Sequence, residues 1–143
     1  MKKGEKLVVI GCGGVGGPAA MLAKKLMPDV DVTIIRKEER FIVRWSLPHV
    51  VAGLATVDSI TNPDAMFENA GITNIIEEVT HVDTEKKIVK LSDGASIDYD
   101  KIILGTGASQ VIPEFEGVDL EGVFTLRSVP DAENIKKFLE EKK

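Results

Sequence analysis

Residues 7–26 read LVVIGCGGVGGPAAMLAKKL, and this stretch constrains the fold more than any other. Leu7–Ile10 is an uninterrupted apolar run, which suits a strand buried on both faces, as in a parallel sheet. Gly11, Gly13 and Gly16 follow in G-x-G-x-x-G spacing, with Gly14 beside them. The period then changes. Val15, Ala19, Leu22, Ala23, Leu26 and Met27 recur at helical intervals opposite Lys24 and Lys25, and predict one amphipathic helix ended by Pro28-Asp29. Pro18 falls near the first turn, where no intrahelical N–H partner is needed. Val32–Ile35 (VTII) is a second buried strand, so the segment forms a βαβ unit with a right-handed crossover. In that setting each small residue has a task. Gly11 permits the tight turn off the strand, Gly13 lets backbone approach a pyrophosphate, and Gly16 and Ala19 let the helix lie close to the sheet. The helix start offers unpaired N–H groups and partial positive charge to phosphate oxygens.

Downstream, Arg36–Arg40 (RKEER) leaves the sheet as a charge run, residues 46–54 suit a short helix, and Thr61-Asn62-Pro63 starts another that Gly71 stops. Strands are predicted at Ile75–Val82 and Lys87–Leu91, followed by a Ser92-Asp93-Gly94 turn and an alternating strand over Ala95–Asp100. Together they make a small antiparallel meander at about residues 73–100. Ile102–Leu104 is a further buried run meeting Gly105-Thr106-Gly107. Ser128-Val129-Pro130-Asp131 reads as a capping box opening a last helix, about residues 129–142, with Ile135, Phe138 and Leu139 on one side. The 143 residues, 43% of them apolar and 29% charged, fit a single domain. The expected class is α/β: a Rossmann-like parallel sheet flanked by helices, with the meander added.

The acid that hydrogen-bonds ribose in such sites belongs at the end of the second strand. Here that position holds Arg36, followed by Lys37. Three readings stay open: Arg36 and Lys37 meet a ribose 2′-phosphate as in an NADP site, the loop holds FAD with a displaced ribose contact, or the run is simply solvated. Cys12, the one cysteine, cannot form an internal disulfide, and reads as a small residue filling a gap rather than a reactive thiol. It fits a reducing, cytoplasmic setting. His49 and His81 lack partners at metal-ligand spacing, so no metal site is expected, and no nucleophile–His–acid arrangement is visible. A net charge of −5 argues against nucleic-acid binding. No apolar run is long enough to span a membrane, and the N-terminus does not read as a signal peptide.

The glycine fingerprint, the VTII–RKEERF exit, the meander, DYDKIILGTGAS (Asp98–Ser109) and EGVFTLRSVPDAENIKKFL (Glu121–Leu139) together resemble the N-terminal part of the flavoproteins with two dinucleotide-binding domains. This pyridine nucleotide-disulfide oxidoreductase superfamily includes NADH oxidases, coenzyme A-disulfide reductases, type-II NADH dehydrogenases and sulfide:quinone oxidoreductases. The resemblance implies that Gly11, Gly13, Gly14 and Gly16 hold the FAD pyrophosphate. It also implies that the backbone near Val79 meets the adenine and that Thr106-Gly107 packs close to the cofactor. NAD(P)H would be the electron donor, bound outside this chain. The expected function is the FAD-binding portion of an NAD(P)H-dependent flavin oxidoreductase. The alternative is a stand-alone nucleotide-binding or regulatory module, NADP-preferring through Arg36 and Lys37, with no redox turnover.

This sequence departs from the family pattern in three ways. Arg36 stands in place of the ribose acid. The segment VRWSLPH (Val43–His49) has no redox cysteine; its Arg44-Trp45-Ser46-Leu47-Pro48 spelling resembles the quinone-reducing members more, and puts Trp45 either beside the flavin or in the core. There is no second glycine fingerprint and no later Gly-Asp segment, so the NAD-binding and C-terminal portions would be supplied in cis or in trans and the isolated chain would be inactive. Surface those portions would cover is expected to be apolar and exposed, favouring self-association.

Overall fold

The computed structural model describes residues 1–142; Lys143, the last residue of the expected domain, lies outside them. The chain forms two compact units, Met1–Phe41 with Asn62–Gly107, and Ile42–Thr61 with the chain from Ala108 onward.

The first unit is built on β1 (Lys6–Ile10), α1 (Gly16–Leu26) and β2 (Asp31–Arg36). The two-residue strands β3 (Phe41–Ile42) and β4 (Thr61–Asn62) lie where the chain leaves this unit and returns, with α2 (Leu47–Val51) between them in sequence. Then come α3 (Ala65–Asn69), β5 (Thr73–Ile76), β6 (Val79–Asp83), β7 (Ile88–Leu91), β8 (Ser96–Asp98) and β9 (Lys101–Leu104). β5, β2, β1 and β9 lie side by side in that order, all parallel, with Val9 of β1 facing Ile34 of β2 and Ile103 of β9. This is the expected doubly covered parallel sheet. Leu7 and Val9 pack with Val32, Ile34, Ala20 of α1 and Phe67 of α3, while Val8, Ile10 and Ile35 pack on the other face against Val89, Leu91 and Tyr99 of the meander segment. Both faces are therefore dry, which is why these strands carry no polar alternation.

Two expectations are corrected in this unit. The strand predicted at Ile75–Val82 is two strands. Thr73–Ile76 runs parallel to β2, and Val79–Asp83 pairs antiparallel with β7. The break falls at Glu77-Glu78, where the Glu77 N–H donates to the Arg36 carbonyl at 2.8 Å and Glu78 pairs with Lys37 at 3.5 Å. The meander proper is β6-β7-β8, closed by the Ser92-Asp93-Gly94 turn with Gly94 at φ +89°. In α1 the buried face is also displaced. Gly16, Gly17 and Ala20 are buried and Ala23 and Met27 half-buried, whereas Val15, Leu22 and Leu26 are 68%, 55% and 69% exposed. Positions 16, 20, 23 and 27 have the same helical spacing as 15, 19, 22 and 26, so periodicity alone could not choose between them. Close approach to the sheet chose the face with the smaller side chains.

In the second unit α4 (Val129–Glu141) packs on α2 through Ala132, Leu47 and Val50, with Ile60 completing the cluster. The capping box is present: the Asp131 N–H donates to Ser128 Oγ at 3.3 Å, and the N–H groups of Ser128 and Arg127 donate to Asp131 Oδ2 at 2.8 and 2.9 Å. Ile135 and Phe138 are half-buried, but Leu139 is 48% exposed and does not join them. Trp45 is 74% exposed on a single 3₁₀ turn at Arg44–Ser46, which corrects the expectation that placed it in the core. No helix among the described residues is long and apolar enough to cross a membrane.

Candidate functional site

The glycine loop joins β1 to α1 at the C-terminal end of the parallel strands, the edge at which open α/β sheets bind ligands. Its backbone is tied down on both sides. The Gly11 N–H donates to the Ile35 carbonyl at 2.7 Å, and the Gly105 N–H donates to the Ile10 carbonyl at 2.7 Å. Three glycines meet there without side chains. A Cβ on Gly11, which has φ +94°, would lie 2.2 Å from the Gly105 carbonyl oxygen; one on Gly16 would lie 1.9 Å from the Gly11 carbonyl oxygen; one on Gly105 would lie 3.2 Å from the Gly16 backbone. Each value at Gly11 and Gly16 is far inside contact distance, so only glycine fits. Gly16, expected to bring the helix onto the sheet, does so by packing on the turn itself.

Gly13 is different. A Cβ placed there would meet no protein atom within 4 Å, and its φ lies outside the left-handed range. Nothing inside the chain requires glycine at this position. Among the described residues the N–H groups of Gly13, Gly14 and Val15 donate to no backbone carbonyl, while Gly17 closes the first turn onto the Gly13 carbonyl at 3.3 Å. Gly14 is exposed, and α1 has no acidic residue in its first turn. Free donors, a helix start and empty space above one glycine fit an approaching phosphate. A pyrophosphate-bearing cofactor therefore suits the residues present.

Thr106 adjoins the loop, its backbone nitrogen 3.1 Å from the Cβ position on Gly11; Gly107, at φ +74°, follows, and both are exposed. Gly105 was not among the sequence-expected site residues. Its signal was present as the first residue after the β9 run, but its need for glycine comes from the Gly16 backbone at the start of α1, 89 positions away in the chain, which spacing does not reveal. Val79 begins β6, half-buried, next to Glu78. Lys37 is exposed and faces Glu78.

Arg36 is not part of a solvated charge run. Its side chain is 1% exposed. Nε donates to Asn74 Oδ1 at 3.3 Å, Nη1 to the Glu39 carbonyl at 2.9 Å and Nη2 to Asp64 Oδ2 at 2.5 Å. Each nitrogen of the guanidinium thus has an acceptor from the protein itself, and the group ties the loop after β2 to the start of α3. Asp64 and Asn74 carry no motif, so sequence reading missed both.

Cys12 lies inside the loop and is 8% exposed. Burial pushes its pKa up to about 12; the Arg36 cation acts the other way, and Asp64 and Glu38 reinforce the rise. At neutral pH the thiol is protonated and poorly nucleophilic, as the gap-filling reading expects.

Two predictions follow from this geometry. Gly16→Ala destabilises the chain by about 3 kcal/mol or more through backbone overlap, whereas Gly13→Ala changes stability by about 0.5 kcal/mol or less, measured by denaturant unfolding. For Cys12 the folded pKa exceeds the ordinary thiol value of about 8.5, so the native state holds the proton more tightly than the unfolded chain. Its contribution to stability is complete below that value and is lost as pH rises towards about 12, so the melting temperature of wild type falls over this window more steeply than that of Cys12→Ala.

The chain is similar to known proteins over nearly its whole length. The family model described as pyridine nucleotide-disulphide oxidoreductase matches residues 5–143. The chain is 36% identical to a NAD(P)H coenzyme A polysulfide/persulfide reductase of Pyrococcus horikoshii, over 100% of this chain and 33% of that protein. It is 30% identical to an NADH oxidase of Methanocaldococcus jannaschii, over 95% of this chain and 32% of that protein. The sulfide:quinone oxidoreductase structure from Aquifex aeolicus superposes with a TM-score of 0.87 at 28% identity, covering 96% of this chain and 32% of the other. The chain thus spans about a third of the length of these relatives. It belongs to the pyridine nucleotide-disulfide oxidoreductase family, a family of FAD-binding proteins.

Proposed function

We propose that the chain is the FAD-binding portion of an NAD(P)H-dependent flavin oxidoreductase that uses no redox-active cysteine. The observation that carries this reading is Gly13, a glycine with no steric or conformational cause inside the protein, beside three N–H groups that donate to no backbone carbonyl. Gly11 and Gly16 shape the turn, Gly13 and Gly14 admit the pyrophosphate, the Val79 backbone meets the adenine, and Thr106-Gly107 lines the path of the cofactor away from the sheet. Lys37 is exposed and neutralised in part by Glu78. Bound FAD supplies the hydride-accepting ring; the residues of this chain bind and orient it. Hydride transfer also requires the nicotinamide to be held against the flavin. That task falls to portions that the relatives possess beyond the third matched here, in cis or in trans, and the isolated chain turns over no substrate.

For this portion the reading without a redox cysteine draws on two facts: Cys12 is the sole cysteine of the given sequence, and it is buried with a raised pKa. The alternative, an NADP-preferring regulatory module, drew on Arg36 as a phosphate-binding cation. The burial of that guanidinium and its three protein acceptors speak against it.

Purified chain titrated with FAD is expected to quench flavin fluorescence and shift the flavin absorption bands, and Gly13→Ala is expected to weaken binding by about tenfold or more while unfolding like wild type. Equal affinity in the variant would contradict the assignment of the loop. We further propose that the chain self-associates through exposed apolar side chains such as Val111, Phe115 and Leu120, which are 88%, 56% and 65% exposed. Light scattering is expected to show mass rising with concentration; a constant monomer mass would refute this.

A further inference from the structure

The end of β2 lacks the acid that accepts hydrogen bonds from the adenosine ribose hydroxyls, and arginine cannot replace it, since a guanidinium has donors but no acceptor. The structure nevertheless holds a carboxylate on the side chain of the arginine that stands there. Ile35 accepts the N–H of Gly11, the first glycine of the loop, and Arg36 is the next residue along β2. Its Nη2 holds Asp64 through Oδ2 at 2.5 Å, and the same guanidinium is fixed by Asn74 and by the Glu39 carbonyl. The two partners differ in exposure. The Arg36 side chain is 1% exposed and the Asp64 side chain 39%. The arginine is thus a buried anchor, and the aspartate presents part of its carboxylate to solvent at the ligand-binding end of the sheet.

We propose that Asp64, delivered from the start of α3, takes over recognition of the adenosine ribose hydroxyls, with Arg36 as the positioning residue that holds it beside the glycine loop. The inference rests on the reading that the loop binds the ADP half of FAD. Arg36, Asp64 and Glu38 all act electrostatically on Cys12 within the loop, the arginine lowering its pKa and the two acids raising it; of the two acids, Asp64 is the one held by the Arg36 guanidinium. The exchange is chemically balanced. The position that usually carries the acid carries a cation, and that cation recruits an acid from elsewhere in the chain. A carboxylate with one oxygen held by arginine keeps acceptor sites on the other for a hydroxyl.

Calorimetric titration of the full chain with ADP and with 2′-deoxy-ADP tests this. Wild type is expected to prefer ADP by about tenfold, the size of a hydrogen bond to a charged acceptor. Asp64→Asn is expected to bring the ratio close to one, and Arg36→Lys, which keeps the charge but not the three-acceptor fork, to lower it while leaving phosphate binding. In wild type, the carboxyl carbon-13 resonance of Asp64 is expected to move on adding ADP and to move less with 2′-deoxy-ADP; this holds the test open if Asp64→Asn fails to fold. An undiminished preference in Asp64→Asn, or an Asp64 resonance that moves equally with both ligands, would overturn the proposal. Wild type that binds ADP without discriminating the hydroxyl removes the ribose assignment alone. Wild type that binds neither ADP nor FAD removes the loop reading and this one with it.

Discussion

The meeting of Gly11, Gly16 and Gly105 is the constraint on which the rest of the site depends. Three stretches of backbone, one from the end of β1, one from the start of α1 and one from the end of β9, occupy space in which a single methyl group would sit about 2 Å from a carbonyl oxygen. The two hydrogen bonds that seal this junction, Gly11 to Ile35 and Gly105 to Ile10, join it to β2 and β9. Because the turn is that tight, α1 begins within six residues of the end of β1, and the N–H groups of Gly13, Gly14 and Val15 just before it donate to no backbone carbonyl among the described residues. The same closeness selects the face that α1 buries. Gly16 and Ala20 are buried on this face, Gly17 is buried against the Phe41 ring, and larger apolar residues such as Leu22 and Leu26 are left outside.

Charge at the strand ends is organised around Arg36. A buried guanidinium is tolerated only when its donors are satisfied. Here a side-chain amide, a backbone carbonyl and a carboxylate come from three separate parts of the first unit, so one residue ties β5, the loop after β2 and the start of α3 together. Arg36 therefore has a structural task that makes it unavailable as a surface phosphate ligand. Lys37, one residue on, remains exposed and pairs with Glu78 at 3.5 Å, an arrangement that contributes little energy in water.

Much of this was legible in the sequence because short-range rules govern it. The βαβ unit follows from two apolar runs around a helical period, the meander from alternation and the Ser92-Asp93-Gly94 turn, and the α4 start from Ser128 and Asp131. What was not legible is long-range. The choice between two helical stripes of equal period in α1 depends on how near the sheet lies. The division of residues 73–83 depends on where β2 ends and its last carbonyl finds Glu77. The fate of Arg36 depends on Asp64 and Asn74, 28 and 38 positions away, neither of which carries any motif. Trp45 shows the same limit, since a lone indole in an irregular segment has no pattern to tell core from surface, and it is 74% exposed.

The central claim is that the free N–H groups of the glycine loop hold the pyrophosphate of FAD. Backbone amide shifts followed by NMR during titration with ADP test it most directly. The account predicts that the largest downfield movements occur at Gly13, Gly14 and Val15, with smaller ones along β2 and at Thr106. Saturating ADP that leaves these three amides unmoved, or that perturbs a different surface instead, would contradict it.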